Sequence, residues 1–214
     1  MSATVEQILK WMDDYAVLIR RHAADLTELD RLIGDADHGA NMQRGMEAVL
    51  KLEGKEFHDA STLLKRVGMT LVSSVGGSSG PLYGTFFIRM AAAFAAESED
   101  QKLISAETFG KGLHAGVEGI AARGKAEAGD KTMLDAWYPA LAAYDKALAE
   151  GKGFHDSLEA AVLAAEQGAE DTIPMVAHKG RASYLGERSA GVKDPGAASS
   201  ALLLRAAFDT FTQE

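Results

Sequence analysis

Apolar residues recur at helical spacing almost from one end of the chain to the other. Val5, Ile8, Leu9, Met12, Tyr15, Ile19, His22 and Leu26 fall on one stripe, and Thr4 with Gln7 forms a capping box ahead of it. A second segment covers about 40–52, with Met42, Met46, Val49 and Leu50. A third follows Asp59 as N-cap and carries Leu63, Leu64, Val67, Leu71 and Val75. A fourth is expected to start at Pro81, with Leu82, Phe86, Met90 and Phe94 on one face. A fifth follows Ser105, with Phe109, Leu113, Val117 and Ile120. A sixth runs over about 133–150, where Pro139 either kinks it or marks its true start. A seventh begins around Phe154, with Leu158 and Val162. The eighth opens at Asp194-Pro195, an N-cap followed by proline, and carries Leu202, Leu203, Ala206 and Phe211.

This pattern predicts eight helices and no convincing strand. The best strand candidate, Thr70 to Val75, has helical surroundings. We read one all-α domain over 1–214, with no linker and no internal repeat. Its connections differ in character. Those near 53–58, 97–104 and 151–153 are short and polar, whereas those at 30–39, 76–80, 124–132 and 178–196 are rich in glycine and functional groups. In an up-and-down arrangement successive loops alternate between the two ends. The four rich loops follow helices one, three, five and seven, so all four are expected at one end.

Composition narrows the chemistry. The formal net charge of −9 argues against binding a nucleic-acid backbone. No apolar run approaches the ~20 residues that a membrane span needs. The start, acidic and amphipathic, does not read as a signal peptide. Cysteine is absent, which excludes disulfides, thiolate zinc sites and cysteine nucleophiles. A cytoplasmic protein is expected.

The first rich loop holds Asp30, Asp35 and Asp37 with Gly34 and Gly39. If the chain is extended across Asp35-Ala36-Asp37, both side chains point the same way. Their mutual repulsion calls for a hard divalent cation, magnesium or calcium. The alternative is a solvated acidic turn in which Asp30 ends one helix and Asp37 caps the next. The second loop, Gly76-Gly77-Ser78-Ser79-Gly80-Pro81, precedes a helix and offers N–H groups and hydroxyls to an anion. It also reads as an ordinary flexible connection. The third, Gly124 to Thr132, fails as a P-loop because Asp130 separates Gly129 from Lys131 and no strand precedes it. Met133 then presents a soft face to an adenine ring or is plain core. The fourth carries Lys179, Arg181, Arg188 and Lys193, and its two arginines suit phosphate. Carboxylates, a glycine–serine loop and arginines are the parts of a phosphoryl-transfer site. The residues alone lead to a magnesium–nucleotide site in an all-α protein.

Four segments carry a more specific signal. These are Leu29-Asp30-Arg31 with Gly34-Asp35-Ala36-Asp37-His38-Gly39, the run Ser73 to Thr85, Arg123 to Glu127 with Gly129 to Met133, and Gly180 to Ser189 with Asp194-Pro195-Gly196. They resemble the nucleotide-binding L subunits of dihydroxyacetone kinases, and the resemblance covers essentially the whole chain. It implies an eight-helix antiparallel barrel with ADP or ATP at one end. It implies that Asp30, Asp35 and Asp37 hold two magnesium ions, and that His38, Gly39, Ala40, Asn41, Ser78 and Ser79 contact the phosphates. By the same resemblance Gly124 and Met133 lie near the adenine or ribose, while Arg181, Asp194, Pro195 and Gly196 close over the nucleotide. No acid or base is implied within this chain. The implied partners are a K subunit that holds dihydroxyacetone and a phosphohistidine M subunit that recharges bound ADP, with a homodimer left open.

Three other readings compete. One is the L part of an ATP-dependent ketose or tetrulose kinase with exchangeable ATP. Another is a regulatory module that senses nucleotide state. The last, a metal-dependent phosphohydrolase suggested by Asp37-His38, ranks lowest, because such sites recruit several histidines and only His38 and His178 lie in the candidate loops.

Overall fold

A computed structural model describes residues 4–53, 57–97 and 104–211. Its helices are α1 (Val5–Ile33), α2 (His38–Val49), α3 (Ala60–Ser74), α4 (Ser79–Glu97), α5 (Ala106–Gly124), α6 (Leu134–Ala149), α7 (Phe154–Asp171) and α8 (Pro195–Phe211). A 3-10 segment, Arg181–Ser189, lies between α7 and α8, and no strand occurs among the described residues. Of the best strand candidate, Thr70 to Val75, all but Val75 belong to the last stretch of α3, and Val75 is its C-cap.

Local signals set most helix starts. Thr4 Oγ1 accepts from the Gln7 N–H at 3.2 Å, and the Thr4 N–H donates to Gln7 Oε1 at 2.9 Å. Asp59 caps α3 and Ser105 caps α5 through the N–H groups of Thr62 and Thr108. Asp194 accepts from the Ala197 N–H at 2.7 Å, with Pro195 as the first residue of α8.

Two boundaries differ from the sequence reading. Helix α2 begins at His38 rather than near residue 40, because a carboxylate from α1 reaches its first N–H groups. Helix α4 begins at Ser79, so Pro81 is its third residue, where a missing N–H still costs no helical hydrogen bond. Pro139 lies inside α6, with its ring against the backbone of α7 at Gly168.

Each helix packs on the next, and α8 packs on α1, so the order of contacts closes into a ring. Trp11, absent from the predicted stripe, is fully buried and donates its indole N–H to Leu203 O at 2.9 Å, which ties α1 to α8. His22, on that stripe, stays partly exposed. Phe109 sits among Trp11, Phe154 and Phe211 at centroid distances of 5.8, 5.1 and 5.4 Å. Phe86 stacks on Trp137 at 4.8 Å. No helix among the described residues is long and apolar enough to cross a membrane.

Candidate functional site

The four rich loops meet at one cavity of about 230 Å³, to which each contributes wall residues. The alternation of helix direction argued from the sequence accounts for this convergence.

In the first loop, Asp30 lies in the last turn of α1 and is 8% exposed. Its Oδ2 accepts from the backbone N–H of Asp37 at 2.8 Å and of His38 at 3.1 Å. Thus Asp30 caps α2, while Asp37, at the cap position, makes no side-chain cap bond. The expected extended run across Asp35-Ala36-Asp37 is not formed. Ala36 is left-handed, with φ 63°, and the chain turns there. One oxygen from each of Asp30, Asp35 and Asp37 nevertheless lies within 4.8 Å of the others. Gly34 is required here, since a Cβ would stand 2.0 Å from Asp30 Oδ1. Arg181 donates from Nε to Asp35 Oδ2 at 2.8 Å, joining the first loop to the fourth. An all-oxygen, convergent trio of carboxylates with one short ion pair fits a hard divalent cation.

His38 and the second loop share the next wall. The imidazole is 7% exposed, with Nδ1 at 3.1 Å from Ser79 Oγ and Nε2 at 2.8 Å from Ser199 Oγ. Burial lowers its pKa, and the charges of Asp30 and Asp37 only partly oppose this. Gly77 (φ 65°), Ser78 and Ser79 bring the N-terminus of α4, with the N–H groups of its first turn, to the cavity. Gly39, Ala40 and Asn41 are not among the lining residues. Gly39 packs closely on α1 at Ala23 and Thr27, and Asn41 Oδ1 accepts from Arg44 at 2.7 Å.

The third loop is shaped by Asp135, which the sequence reading missed. Its Oδ1 accepts from the Gly129 N–H at 2.5 Å and its Oδ2 from the Thr132 N–H at 2.8 Å. A carboxylate in the first turn of a helix just after a glycine-rich loop was the available signal. Lys131 is left-handed (φ 60°) and 1% exposed. Its ammonium donates to the carbonyls of Val192 at 2.6 Å, Thr172 at 2.7 Å and Met175 at 3.1 Å. Burial lowers its pKa, with Asp194 opposing. Lys131 is therefore a tie between loops, its donors already committed. Met133 is both core and wall, and with Leu82, Ile120 and Leu134 it forms an apolar side of the cavity. Gly124 lines the same side.

The fourth loop is held by Ile33, Ala177 and Ala182, with Leu185 and Val192 packed against them. It carries Arg181, Asp194, Pro195 and Gly196 to the cavity, whereas Arg188 is exposed and does not line it. The expectation that both arginines face the site is corrected to Arg181 alone. Enclosure raises the Asp194 carboxyl to about 7, opposed by the Ala197 N–H, reinforced by Asp135 and opposed by Lys131.

Fold and site together define an all-helical protein with an acidic, anion-accepting pocket built from the loops at one end of its helices. The chain belongs to the DAK2 domain family, whose sequence model matches residues 32–209. It is 45% identical over 206 residues to the PEP-dependent dihydroxyacetone kinase, ADP-binding subunit DhaL, of Escherichia coli (strain K12), covering 96% of each chain. It is also 45% identical to the corresponding subunit of the PEP-dependent dihydroxyacetone kinase 1 of Listeria innocua, over 94% of each. Among solved structures it is similar to the dihydroxyacetone kinase from C. freundii in complex with AMP-PNP and Mg2+. That match has a TM-score of 0.69 and 26% identity, and covers 98% of this chain but 34% of that one.

Proposed function

We propose that this chain is the ADP-binding subunit of a phosphoenolpyruvate-dependent dihydroxyacetone kinase. In this reading it works in the cytoplasm between a phosphohistidine M subunit, which donates the phosphoryl group, and a K subunit, which holds dihydroxyacetone. The observation that carries the reading is the convergence of the acidic, glycine–serine and arginine loops on one cavity in a chain 45% identical to such a subunit. Identity of 45% to two subunits named PEP-dependent favours the PEP-dependent form over a kinase with exchangeable ATP.

When bound, ADP and magnesium supply the phosphoryl acceptor and the positive charge that phosphate and carboxylates need between them. Asp30, Asp35 and Asp37 are the residues that would hold the metal, as two ions by family resemblance. The backbone of Gly77 and Ser78 and the start of α4 at Ser79 bind phosphate oxygens. Arg181 adds a positive charge at the phosphate end, next to Asp35. Leu82, Ile120 and Met133 exclude water and receive the base, and Gly124 leaves room beside them. Asp194, Pro195 and Gly196 complete the lining, with Gly196 next to Met133.

The test is to purify the chain without added nucleotide, denature it, and analyse the released small molecules and metals. About one ADP per chain with magnesium is the expected outcome. An empty chain that binds ATP weakly and exchangeably moves the assignment to an ATP-dependent kinase subunit. A chain that binds neither nucleotide in the presence of magnesium overturns the phosphotransfer reading.

A further inference from the structure

Behind Ser79, the His38 imidazole continues inward into a buried chain of hydroxyl groups. Ser200 Oγ is 3.1 Å from Tyr83 Oη, Tyr83 Oη is 2.7 Å from Ser199 Oγ, and Ser199 Oγ is 2.8 Å from His38 Nε2. His38 Nδ1 then meets Ser79 Oγ, at 3.1 Å, on the cavity wall. Tyr83, Ser199 and Ser200 are essentially inaccessible to water, and the neighbouring buried Tyr15 hydroxyl spends its proton on Ser199 O at 3.2 Å, so the remaining protons are shared within this group. From α8, α4 and α2, the chain leads outward to the cavity.

The direction of the chain follows from donor and acceptor strength. A phenol is a better donor than an aliphatic hydroxyl, and Tyr83 makes its shorter contact with Ser199, so Tyr83 donates there and accepts from Ser200. Ser199 keeps one proton and has two acceptors. One is His38 Nε2 at 2.8 Å, and the other is Gly196 O at 3.2 Å in its own helical turn. The imidazole nitrogen is nearer and more basic, so it takes the proton. A neutral imidazole then carries its own hydrogen on Nδ1 and gives it to Ser79 Oγ. Ser79 is left with a hydroxyl proton that has no protein acceptor among these groups and faces the cavity.

We propose that Tyr83 and Ser199 are positioning residues that fix His38 in its Nδ1–H tautomer, and so turn the Ser79 hydroxyl into a dedicated donor toward an anion in the cavity. The opposite tautomer would make Ser79 donate to His38 and present its lone pairs to a phosphate. The choice of tautomer therefore decides whether Ser79 attracts or repels the ligand. The anion is a nucleotide phosphate if the proposed function holds, and this part of the inference rests on that reading. The proton order inside the chain does not.

The decisive measurement is a two-bond proton–nitrogen correlation spectrum of the full chain labelled at histidine nitrogens, without nucleotide, near neutral pH. His38 is assigned by the signals lost in His38→Gln. A protonated Nδ1 with a bare Nε2 is expected. A protonated Nε2 with a bare Nδ1, or protonation of both nitrogens, overturns the proposal. A double-mutant cycle on magnesium–ADP affinity tests the consequence. Ser79→Ala is expected to weaken binding about tenfold, as for loss of a hydrogen bond to a charged group. Ser199→Ala is expected to weaken binding severalfold when Ser79 is present and negligibly in the Ser79→Ala background. Equal losses in both backgrounds overturn the positioning role. If the parent chain binds no nucleotide, the functional reading fails, while the spectrum still decides the tautomer.

Discussion

A methyl group on Gly39 would stand 2.0 Å from Ala23 O and 2.5 Å from Thr27 Oγ1, on the backbone and side chains of α1. Neither backbone can yield without separating α2 from α1. Gly39→Ala is therefore expected to destabilise the chain by about 1–3 kcal/mol, read from urea unfolding. The family resemblance implies Gly39 as a phosphate contact, and its close approach to a residue sixteen positions earlier is a further demand that cannot be read from local composition. Asp194 shows another side of the same limit. Its ordinary carboxyl pKa of 3.8 is raised to about 7 in the folded chain. The folded state then binds more protons than the unfolded state between these values, so the ionised carboxylate costs stability progressively as pH rises through that window. Below it the cost vanishes, and above about 7 it is complete. Asp194→Asn keeps a cap for α8, and its melting temperature relative to the parent is expected to be more favourable at pH 8 than at pH 4.5. An equal difference at both values would count against the shifted carboxyl. For Asp35 and Asp37 the expected effect is on binding. The double variant to Asn should lose magnesium-dependent ADP binding in calorimetry while keeping its helical circular dichroism, because neither side chain caps a helix.

At the scale of elements, capping explains why so many helix starts were legible. Thr4, Asp59, Ser105 and Asp194 act on N–H groups three residues ahead, and such short-range chemistry is written in the sequence. Helix α2 is the exception, since its cap comes from Asp30 in α1, across a turn made by left-handed Ala36. The loop between α5 and α6 is likewise settled from outside. Lys131 pins it to the segment after α7 by donating to carbonyls around residues 172–175 and to Val192. Lys131→Met would leave those carbonyls without their buried donor. A loss of about 3 kcal/mol is expected in urea unfolding. The sequence offered Lys131 as part of a failed P-loop, and its actual role depends on a segment some forty residues away.

On the scale of the whole molecule, closure of α8 onto α1 brings the loop after α7 over the loop after α1, where Arg181 meets Asp35. The cavity belongs to no single element, so a ligand there binds only the assembled ring. Magnesium–ADP at a hundredfold excess over its dissociation constant should add about 2.7 kcal/mol of stability. For a chain of this size that is a rise of roughly 5–10 °C in melting temperature. Differential scanning fluorimetry with and without a chelator checks this, and the rise should disappear when the metal is removed.

The sequence by itself determined the helices, most of their caps, the grouping of four functional loops at one end and the residue types gathered there. Each of these follows from periodicity, from capping three residues apart, or from the alternation of helix direction along a chain. Only the tertiary structure decided that Asp30 caps α2, that Arg181 rather than Arg188 enters the cavity, that Lys131 is consumed by carbonyls, and that Tyr83 and Ser199 stand behind His38. Those outcomes depend on distances between groups far apart in sequence, and the packing that sets such distances is a property of all the helices together.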